Sequence, residues 1–243
     1  MKKYTKNKVK TILGINSIES RLGQLSKQNE IIALELLRDL IPETIYIPLT
    51  SWSILPSTVL HITNEIIINN RKSIIEFGSG FSTFIISRLI KKNNLDIEFY
   101  SVESNKSWIE TIKSELNKED LVDYVKIIHA SISSSPYIFK GHKNWYDVKI
   151  LDKFFSNKSF DLVVVDGPPG TETYSRFGAI PYLQNKLKED FFILLDDTNR
   201  IEESEIAEEW SNILKVNLEK FNVYSILYNF TTLESRPVYF RDF

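Results

Sequence analysis

The sequence predicts an α/β fold: a doubly wound, mostly parallel sheet of seven strands with a C-terminal antiparallel hairpin and an N-terminal helical extension. From Ser73 onward, short apolar runs alternate with stretches of helical spacing, which is the pattern of strands joined by crossover helices. The runs 162–165 and 192–195 are apolar throughout, as strands covered on both faces require. The last two predicted strands are too close together for a helical crossover, so they should pair antiparallel.

The first seventy residues are predicted to form an arm and a helical cap. Residues 1–30 are polar and rich in lysine, which predicts a mobile arm or a weak helix. Apolar residues recur at helical spacing over 29–41, and a second helix should span 57–69 with Ser57 as its N-cap. The predicted domains are therefore 1–70, the arm and cap, and 71–243, which holds the sheet.

The remaining elements follow one another within the second domain. Strands are predicted at 73–77, 97–103, 124–129, 160–166, 191–196, 221–228 and 236–240, and helices at 81–91, 106–116, 177–188 and 202–215. The long stretch between the third and fourth strands shows no regular pattern, and long loops of this kind are often functional.

Composition and charge exclude several classes of protein. The 243 residues carry a net charge of −2, which gives no overall positive field for nucleic acid. The absence of cysteine excludes disulfides, thiolate metal sites and a cysteine nucleophile. No apolar run approaches the roughly 20 residues of a membrane helix, and the apolar run behind the basic N-terminus is too short for a signal peptide. We therefore expect a soluble, cytoplasmic protein that binds no nucleic acid and is not inserted in a membrane.

The first predicted strand ends in a turn that contains two glycines. Gly78 and Gly80 permit a tight turn and let a ligand approach the backbone, and ligands of such sheets bind beyond the carboxyl ends of the strands. Ser82 and Thr83 can cap the following helix and bond a ligand. A purely structural strand-to-helix turn is the alternative interpretation. Thr83 also stands where the dinucleotide pattern has its third glycine, which disfavours a nicotinamide cofactor.

A carboxylate ends the second predicted strand. Glu103 follows Gly80 by 23 residues and is placed to accept hydrogen bonds from ribose hydroxyls. An ordinary exposed residue at a strand end is the alternative.

These landmarks resemble the class I, seven-stranded, Rossmann-like S-adenosylmethionine-dependent methyltransferases. The resemblance covers about residues 50–243 and rests on 75–80, 101–104, 160–170 and the terminal hairpin. The phrases Glu-Phe-Gly-Ser-Gly-Phe-Ser-Thr and Val-Asp-Gly-Pro-Pro-Gly are similar to those of bacterial O-methyltransferases that modify sugars and other small molecules.

The resemblance implies a role for each matching position. It places the methionine end of S-adenosylmethionine on Glu76 and the Gly78–Ser79–Gly80 backbone, the ribose on Glu103, the adenine beside Ser104, Ala130 and Ser131, and the methyl donor beside Asp166.

Three carboxylates are expected at adjacent strand ends. Asp166 closes the fourth predicted strand, and Asp196 and Asp197 follow the fifth. Like charges at close range repel, and a divalent cation such as Mg²⁺ would relieve that repulsion. The resemblance implies the same site, since metal-dependent O-methyltransferases place acidic ligands at these strand ends. The catechol type has Asn after its second acid, whereas Thr198 follows Asp197 here. Asp197 as a helix cap or a partner of Arg200 is the alternative.

A hydroxyl acceptor must lose its proton, so a general base is expected. The candidates are Asp166, Asp197 and His142, whose imidazole titrates near neutral pH and which lies in the irregular stretch. A surface histidine is the alternative interpretation of His142, and His61 is expected to be structural.

Further residues are expected near the acceptor. Tyr174 and Arg176 follow the Gly167–Gly170 turn on the acceptor side. Trp52 is expected either to cover the cofactor or to pack in the core.

Taken together, the sequence predicts an S-adenosylmethionine-dependent methyltransferase that methylates a hydroxyl of a small polar acceptor, such as a sugar or glycan, with Mg²⁺ as a candidate helper. The N-terminal helices would cover the acceptor or form a homodimer contact. Two alternatives stay open: a partner protein that keeps the fold without catalysis, and a nicotinamide-dependent oxidoreductase.

Overall fold

The structure is a computed structural model that describes residues 15–42, 45–229 and 233–238. The lysine-rich part of the predicted arm, residues 1–14, lies outside these residues. From Ile15 onward the chain is helical.

Seven helices and nine strands make up the described residues. The helices are α1 (Ile15–Leu36), α2 (Pro56–Ile68), α3 (Phe81–Lys92), α4 (Lys106–Lys118), α5 (Val148–Phe155), α6 (Ala179–Leu183) and α7 (Ile201–Leu214). The strands are β1 (Ser73–Phe77), β2 (Glu98–Glu103), β3 (Lys126–His129), β4 (Ile132–Phe139), β5 (His142–Tyr146), β6 (Phe160–Val165), β7 (Leu187–Asp196), β8 (Asn217–Lys220) and β9 (Tyr224–Tyr228). Short 3₁₀ turns lie at Arg38–Leu40, Val122–Tyr124 and Gln184–Lys186.

Seven of these strands form one sheet in the order β3-β2-β1-β6-β7-β9-β8. The first five are parallel, while β9 runs antiparallel to both β7 and β8. The predicted fold class is therefore confirmed. Since β1 and β6 lie at the centre, their carboxyl ends meet at one edge of the sheet, which is where a ligand site is expected.

The sheet is covered on both faces. Ile74 and Leu162 belong to a core completed by α1 to α4, and Ile75 and Val163 belong to a second core completed by α5, α6 and α7. Successive side chains of a strand point to opposite faces, which explains why these strands are apolar throughout.

The terminal hairpin lies one strand earlier than predicted. The sequence indicated strands at 221–228 and 236–240, whereas the pair is β8 with β9. Phe221 belongs to the turn: its N–H donates to the Tyr224 carbonyl (2.8 Å), and its ring stacks on the Tyr224 ring at 4.7 Å. This packing accounts for an apolar residue in a turn. Residues 236–238 are not in a strand, and 239–240 lie outside the described residues.

The stretch between β3 and α5 is a hairpin rather than the irregular loop that was predicted. Strands β4 and β5 pair antiparallel and are joined by Lys140 and Gly141, both with positive φ (46° and 88°), as a tight hairpin turn requires. The pairing register shifts between Ser134 and Phe139, so no regular alternation is visible in the sequence. This hairpin delivers Tyr146 to the carboxyl edge of the sheet.

Helix α2 begins one residue earlier than predicted and uses a different cap. Pro56 is its first residue and Leu55 its N-cap, so Ser57 lies inside the first turn. The carboxylate of Glu30 on α1 accepts from the Ser57 N–H (2.9 Å) and hydroxyl (2.7 Å). Helix α1 thus provides the hydrogen-bond acceptors for the first turn of α2. The predicted domain boundary at residue 70 stays a prediction. Helix α2 packs in the same core as one face of the sheet.

Among the described helices, none combines the length and apolar character that crossing a membrane requires.

His61 joins α2 to the C-terminal part of the chain. Its imidazole is buried, with Nδ1 2.8 Å from the Tyr224 hydroxyl and Nε2 3.2 Å from the Ser235 hydroxyl. The pKa of His61 is lowered to about 4, mainly by burial. Glu234 opposes this shift, and Arg236 adds to it. The residue is structural, as expected.

Acid should destabilise the protein through His61. The pKa of this group is about 6.5 in the unfolded chain, so the unfolded state binds more protons between pH 6.5 and about 4. The contribution of neutral His61 to the free energy of unfolding is complete above pH 6.5. It is lost as the pH falls towards about 4, and the loss reaches up to ~3 kcal/mol. Urea unfolding at about pH 7.5 and about pH 5 measures it. His61→Gln, which cannot be protonated, should show a shallower pH dependence; equal dependence would contradict the prediction.

Candidate functional site

A cavity of about 400 Å³ opens at the carboxyl ends of β1, β2, β6 and β7. Six residues predicted for cofactor or metal line it: Gly78, Ser79, Glu103, Asp166, Asp196 and Asp197. Arg176, which was expected near the acceptor, lines it as well. Trp52, which was expected either to cover the cofactor or to pack in the core, also lines it. The sheet topology therefore brings together residues that lie far apart in the sequence.

The floor of the cavity is a direct backbone contact between two strand ends. The Phe77 carbonyl accepts hydrogen bonds from the N–H groups of Asp166 (2.9 Å) and Gly167 (2.7 Å). Gly78 has φ +96°, and a Cβ there would lie 2.9 Å from the Gly167 nitrogen. A Cβ on Gly167 would lie 2.6 Å from the Tyr146 hydroxyl. Both positions therefore require glycine.

Glu103 presents one carboxylate oxygen towards the cavity. Its Oε1 accepts from the N–H groups of Ser104 and Asn105, both at 2.7 Å, while its Oε2 accepts only a longer bond from the Ser79 N–H (3.2 Å). The main chain thus holds the carboxylate in place, and Oε2 keeps lone pairs for a hydroxyl ligand. This geometry suits the ribose contact that the resemblance implies.

Glu76 lies beneath the glycine turn and does not line the cavity. Its carboxylate is fully buried and accepts from the hydroxyls of Ser82, Thr83 (2.6 Å) and Ser101 (2.7 Å). Burial raises the pKa of Glu76 to about 7, and the three hydroxyl donors partly oppose that shift. The hydroxyls expected to bond a ligand are therefore committed to Glu76, and Thr83 also caps α3 by accepting from the Gly80 N–H (2.8 Å).

Arg176 lies among the three carboxylates. Its Nη2 donates to Asp166 Oδ1 (3.1 Å) and Asp197 Oδ2 (2.9 Å), and its Nη1 donates to the Asp196 main-chain carbonyl (3.0 Å). Arg200 Nη1 also lies 3.1 Å from Asp197 Oδ2. Asp197 was expected to bind a metal, cap a helix or pair with Arg200, and it pairs with both arginines.

Two carboxyl groups of the cluster have raised pKa values. Burial and the neighbouring Asp196 raise the pKa of Asp166 well above its usual range. Burial and the neighbouring Asp197 raise the pKa of Asp196 to about 7. Arg176 opposes both shifts, because its positive charge favours the ionised form of each carboxyl group.

The residues present do not fit the expected Mg²⁺ as they are arranged. Carboxylate oxygens are suitable donors, and one oxygen from each of Asp166, Asp196 and Asp197 lies within 4.8 Å of the others. However, Arg176 already holds oxygens of two of these groups. A divalent cation on the same oxygens would stand beside a buried guanidinium, which is an unfavourable contact between like charges.

Several predicted site residues lie outside the cavity lining. These are Glu76, Gly80, Ser82, Thr83, Ser104, Ala130, Ser131 and His142. His142 begins β5, where its Nε2 lies 2.6 Å from the Asn144 carbonyl and its Nδ1 3.5 Å from Glu172. The structure therefore does not bring His142 together with the carboxylates.

Tyr146 and Trp108 are functional candidates that sequence reasoning missed. Tyr146 is fully buried and lines the cavity, and its ring stacks on Phe77 at 5.6 Å; within the described part of the chain its hydroxyl has no hydrogen-bond partner. Trp108 lines the same cavity and donates from Nε1 to the Ser79 carbonyl (2.8 Å). Neither belongs to a recognised motif, and only the Trp145–Tyr146 pair in a long loop was a visible signal.

Three of the residues that line this cavity carry a buried polar atom without a hydrogen-bond partner among the described residues. These atoms are the Tyr146 hydroxyl, Arg176 Nε and Asp196 Oδ1. Native proteins rarely leave such atoms unsatisfied, so their presence in one cavity indicates a ligand site.

A comparison with protein families finds one match. The family model described as "Methyltransferase domain" matches residues 75–198, which is just over half of the chain. The match spans the glycine turn, Glu103, the Val165–Gly170 segment and the end of β7. A comparison with curated proteins finds no match.

Solved structures share the fold at low sequence identity. An S-adenosylhomocysteine-bound methyltransferase from Podospora anserina has a TM-score of 0.53 at 15% identity, covering 87% of this chain and 94% of that one. The O-methyltransferase from Bacillus cereus, also in complex with S-adenosylhomocysteine, has a TM-score of 0.53 at 11% identity, covering 83% and 91%. A precorrin-6y C5,15-methyltransferase from Geobacter metallireducens has a TM-score of 0.50 at 16% identity, covering 76% and 94%.

Substituting Gly167 should destabilise the protein. In Gly167→Ala the new Cβ would meet both the Tyr146 hydroxyl (2.6 Å) and the Gly78 backbone (2.9 Å), and the backbone cannot move without separating β1 from β6. We expect a loss of about 1–3 kcal/mol in the free energy of unfolding, measured in urea. Gly80→Ala is the matched control, since a Cβ there meets nothing within 4 Å. Equal stability of the two variants would contradict a close contact at Gly167.

Proposed function

The chain belongs to the methyltransferase domain family, the class I enzymes that use S-adenosylmethionine, and from this premise we propose that it methylates a hydroxyl oxygen of a small polar acceptor such as a sugar or glycan. One observation carries the proposal: the Gly78–Ser79 turn, Glu103 and Asp166 line a single cavity at adjacent ends of parallel strands. Ligands of such sheets bind at this edge.

In this proposal the cofactor lies across the ends of β2, β1 and β6. Glu103 Oε2 accepts hydrogen bonds from the ribose hydroxyls, and the backbone at Gly78 and Ser79 allows close approach of the methionine end. The sulfonium and its methyl group then face Asp166. The predicted contacts to Ser104, Ala130 and Ser131 stay predictions, since these residues do not line the cavity.

The transfer is a displacement at the methyl carbon. The acceptor oxygen forms a bond to that carbon while the carbon–sulfur bond breaks, and sulfur keeps the electron pair as the neutral thioether of S-adenosylhomocysteine. The hydroxyl proton must pass to a base. We assign this role to Asp166, which lines the cavity and has a raised pKa, with Asp197 as the second candidate. Most of the rate enhancement is expected from orienting the acceptor against the methyl group.

The cavity walls favour a polar acceptor. Arg200 is an exposed residue at the wall, and the Trp52 indole is 68% exposed although it lines the cavity. An exposed indole offers an apolar face to a sugar ring, while the charged groups bond its hydroxyls. Trp52 belongs to the N-terminal residues that were predicted to cover the acceptor. Cytoplasmic location and a homodimer contact stay predictions.

The expected help from Mg²⁺ is not part of this proposal. The aspartate cluster holds Arg176 instead, and the proposed transfer uses no metal.

Cofactor binding tests the proposal. We expect isothermal titration to show binding of S-adenosylhomocysteine, and Glu103→Gln to weaken it about 10–100-fold because an amide donor would replace an oxygen that receives hydroxyl and N–H donors. Glu110→Gln, on the exposed face of α4, is the control and should bind like the wild type. No binding of S-adenosylhomocysteine, or preferential binding of NADH, would overturn the proposal.

Tyr146→Phe should separate binding from stability. Its hydroxyl is buried and has no partner in the part of the chain that the structure describes, so removing it should leave the free energy of unfolding equal or higher. If the bound cofactor or acceptor satisfies that hydroxyl, the variant should bind S-adenosylhomocysteine or turn over about 3–10-fold less well. A variant that is both less stable and fully active would show that the hydroxyl serves the fold instead.

A further inference from the structure

Arg176 is fixed between the ends of two strands. It is 3% exposed, and its three hydrogen bonds reach Asp166 after β6 and both Asp196 and Asp197 at the end of β7. A guanidinium is permanently charged and presents its donors in a rigid plane, so it can hold several oxygens at once. Arg176 therefore connects the two strand ends that carry the carboxylates.

The same guanidinium balances much of the charge of the cluster. Asp166, Asp196 and Asp197 carry three negative charges when ionised, and Arg176 together with Arg200 supplies two positive charges at 2.9–3.1 Å. Little negative charge is left to attract a divalent cation. A cation that used Asp166 Oδ1 and Asp197 Oδ2 would also have to displace Arg176 from a buried position, leaving that charge without these partners.

We propose that Arg176 is the resident cation of this cluster, and that the protein consequently has no functional divalent metal site there. Arg176 is then a positioning residue, because it holds Asp166 and Asp197 beside the reacting atoms in the way a metal ion would otherwise do. Two of its N–H groups remain for an acceptor: Nε has no partner among the residues that the structure describes, and Nη1 makes one hydrogen bond. The inference goes beyond the proposed function, since metal binding is measured without any methyl transfer.

The first experiment titrates Mn²⁺ into the wild-type protein with and without S-adenosylhomocysteine, reading free Mn²⁺ by electron paramagnetic resonance. We expect no site with a dissociation constant below about 1 mM. Exhaustive dialysis against EDTA should leave the affinity for S-adenosylhomocysteine unchanged. A stoichiometric Mn²⁺ site of micromolar affinity that is lost in Asp197→Asn would overturn the inference, whatever the cofactor does.

The second experiment removes the arginine from the aspartate cluster. Removing the guanidinium in Arg176→Gln should free the oxygens of Asp166 and Asp197 and raise the affinity for Mn²⁺ about tenfold or more. The double variant Arg176→Gln/Asp197→Asn should lose that gain. Arg88→Gln, which removes an arginine paired with Glu119 away from the cavity, controls for net charge and should leave Mn²⁺ binding unchanged.

The outcomes remain distinguishable. Unchanged or weaker Mn²⁺ binding in folded Arg176→Gln would overturn the inference. If that variant does not fold, the wild-type titration still decides, and Arg176→Lys, which keeps a single charge but cannot span three oxygens, should show an intermediate gain. If the wild-type protein does not bind S-adenosylhomocysteine, the proposed function is refuted instead. The Mn²⁺ result stays valid in that case.

Discussion

The backbone contact between the ends of β1 and β6 is the constraint on which the rest of the site depends. One carbonyl, that of Phe77, accepts hydrogen bonds from both Asp166 and Gly167, and this is possible only because Gly78 and Gly167 carry no side chain. The contact places the carboxylate after β6 beside the turn after β1. It also leaves room for the Tyr146 hydroxyl above Gly167. A side chain at either glycine would separate the two halves of the cavity, so the packing of the sheet and the geometry of the site are one requirement.

Two single glutamates and a cluster of three aspartates lie near this contact, and each of these three sites is stabilised in a different way. Hydroxyl donors hold Glu76, main-chain N–H groups hold one oxygen of Glu103, and a guanidinium holds the aspartate cluster. These differences follow from accessibility. Glu76 does not line the cavity, so neutral donors suffice, whereas Glu103 lines it and keeps one oxygen with a single, longer hydrogen bond. The cluster holds several like charges and therefore needs a full positive charge.

The central strands and the main landmarks were predictable, because continuous apolar runs and a glycine turn are local signals. Strand β1 lies at Ser73–Phe77 as predicted, and its parallel pairing with β2 and β6 agrees with the predicted parallel sheet. The β4–β5 hairpin was not predictable, since a shifted register hides its alternation, and Tyr146 was missed with it. Ser82 was assigned to a ligand because the sequence cannot show that a buried glutamate already binds its hydroxyl. Arg176 was expected near the acceptor, but its pairing with Asp166 depends on side-chain packing that no spacing reveals.

The two halves of the cavity are held by different kinds of hydrogen bond, and this difference bears on which half selects the acceptor. The half proposed for the cofactor is built from strand ends whose main chains bond one another directly. The Trp52 segment is instead a turn whose hydrogen bonds run among its own residues, from the Thr50 N–H to the Ser53 hydroxyl (3.0 Å) and from the Trp52 N–H to the Thr50 hydroxyl (3.2 Å). Such a turn can change sequence or shape without disturbing the strand ends. Acceptor specificity is therefore expected to reside in this segment, while the sheet edge retains the chemistry of methyl transfer.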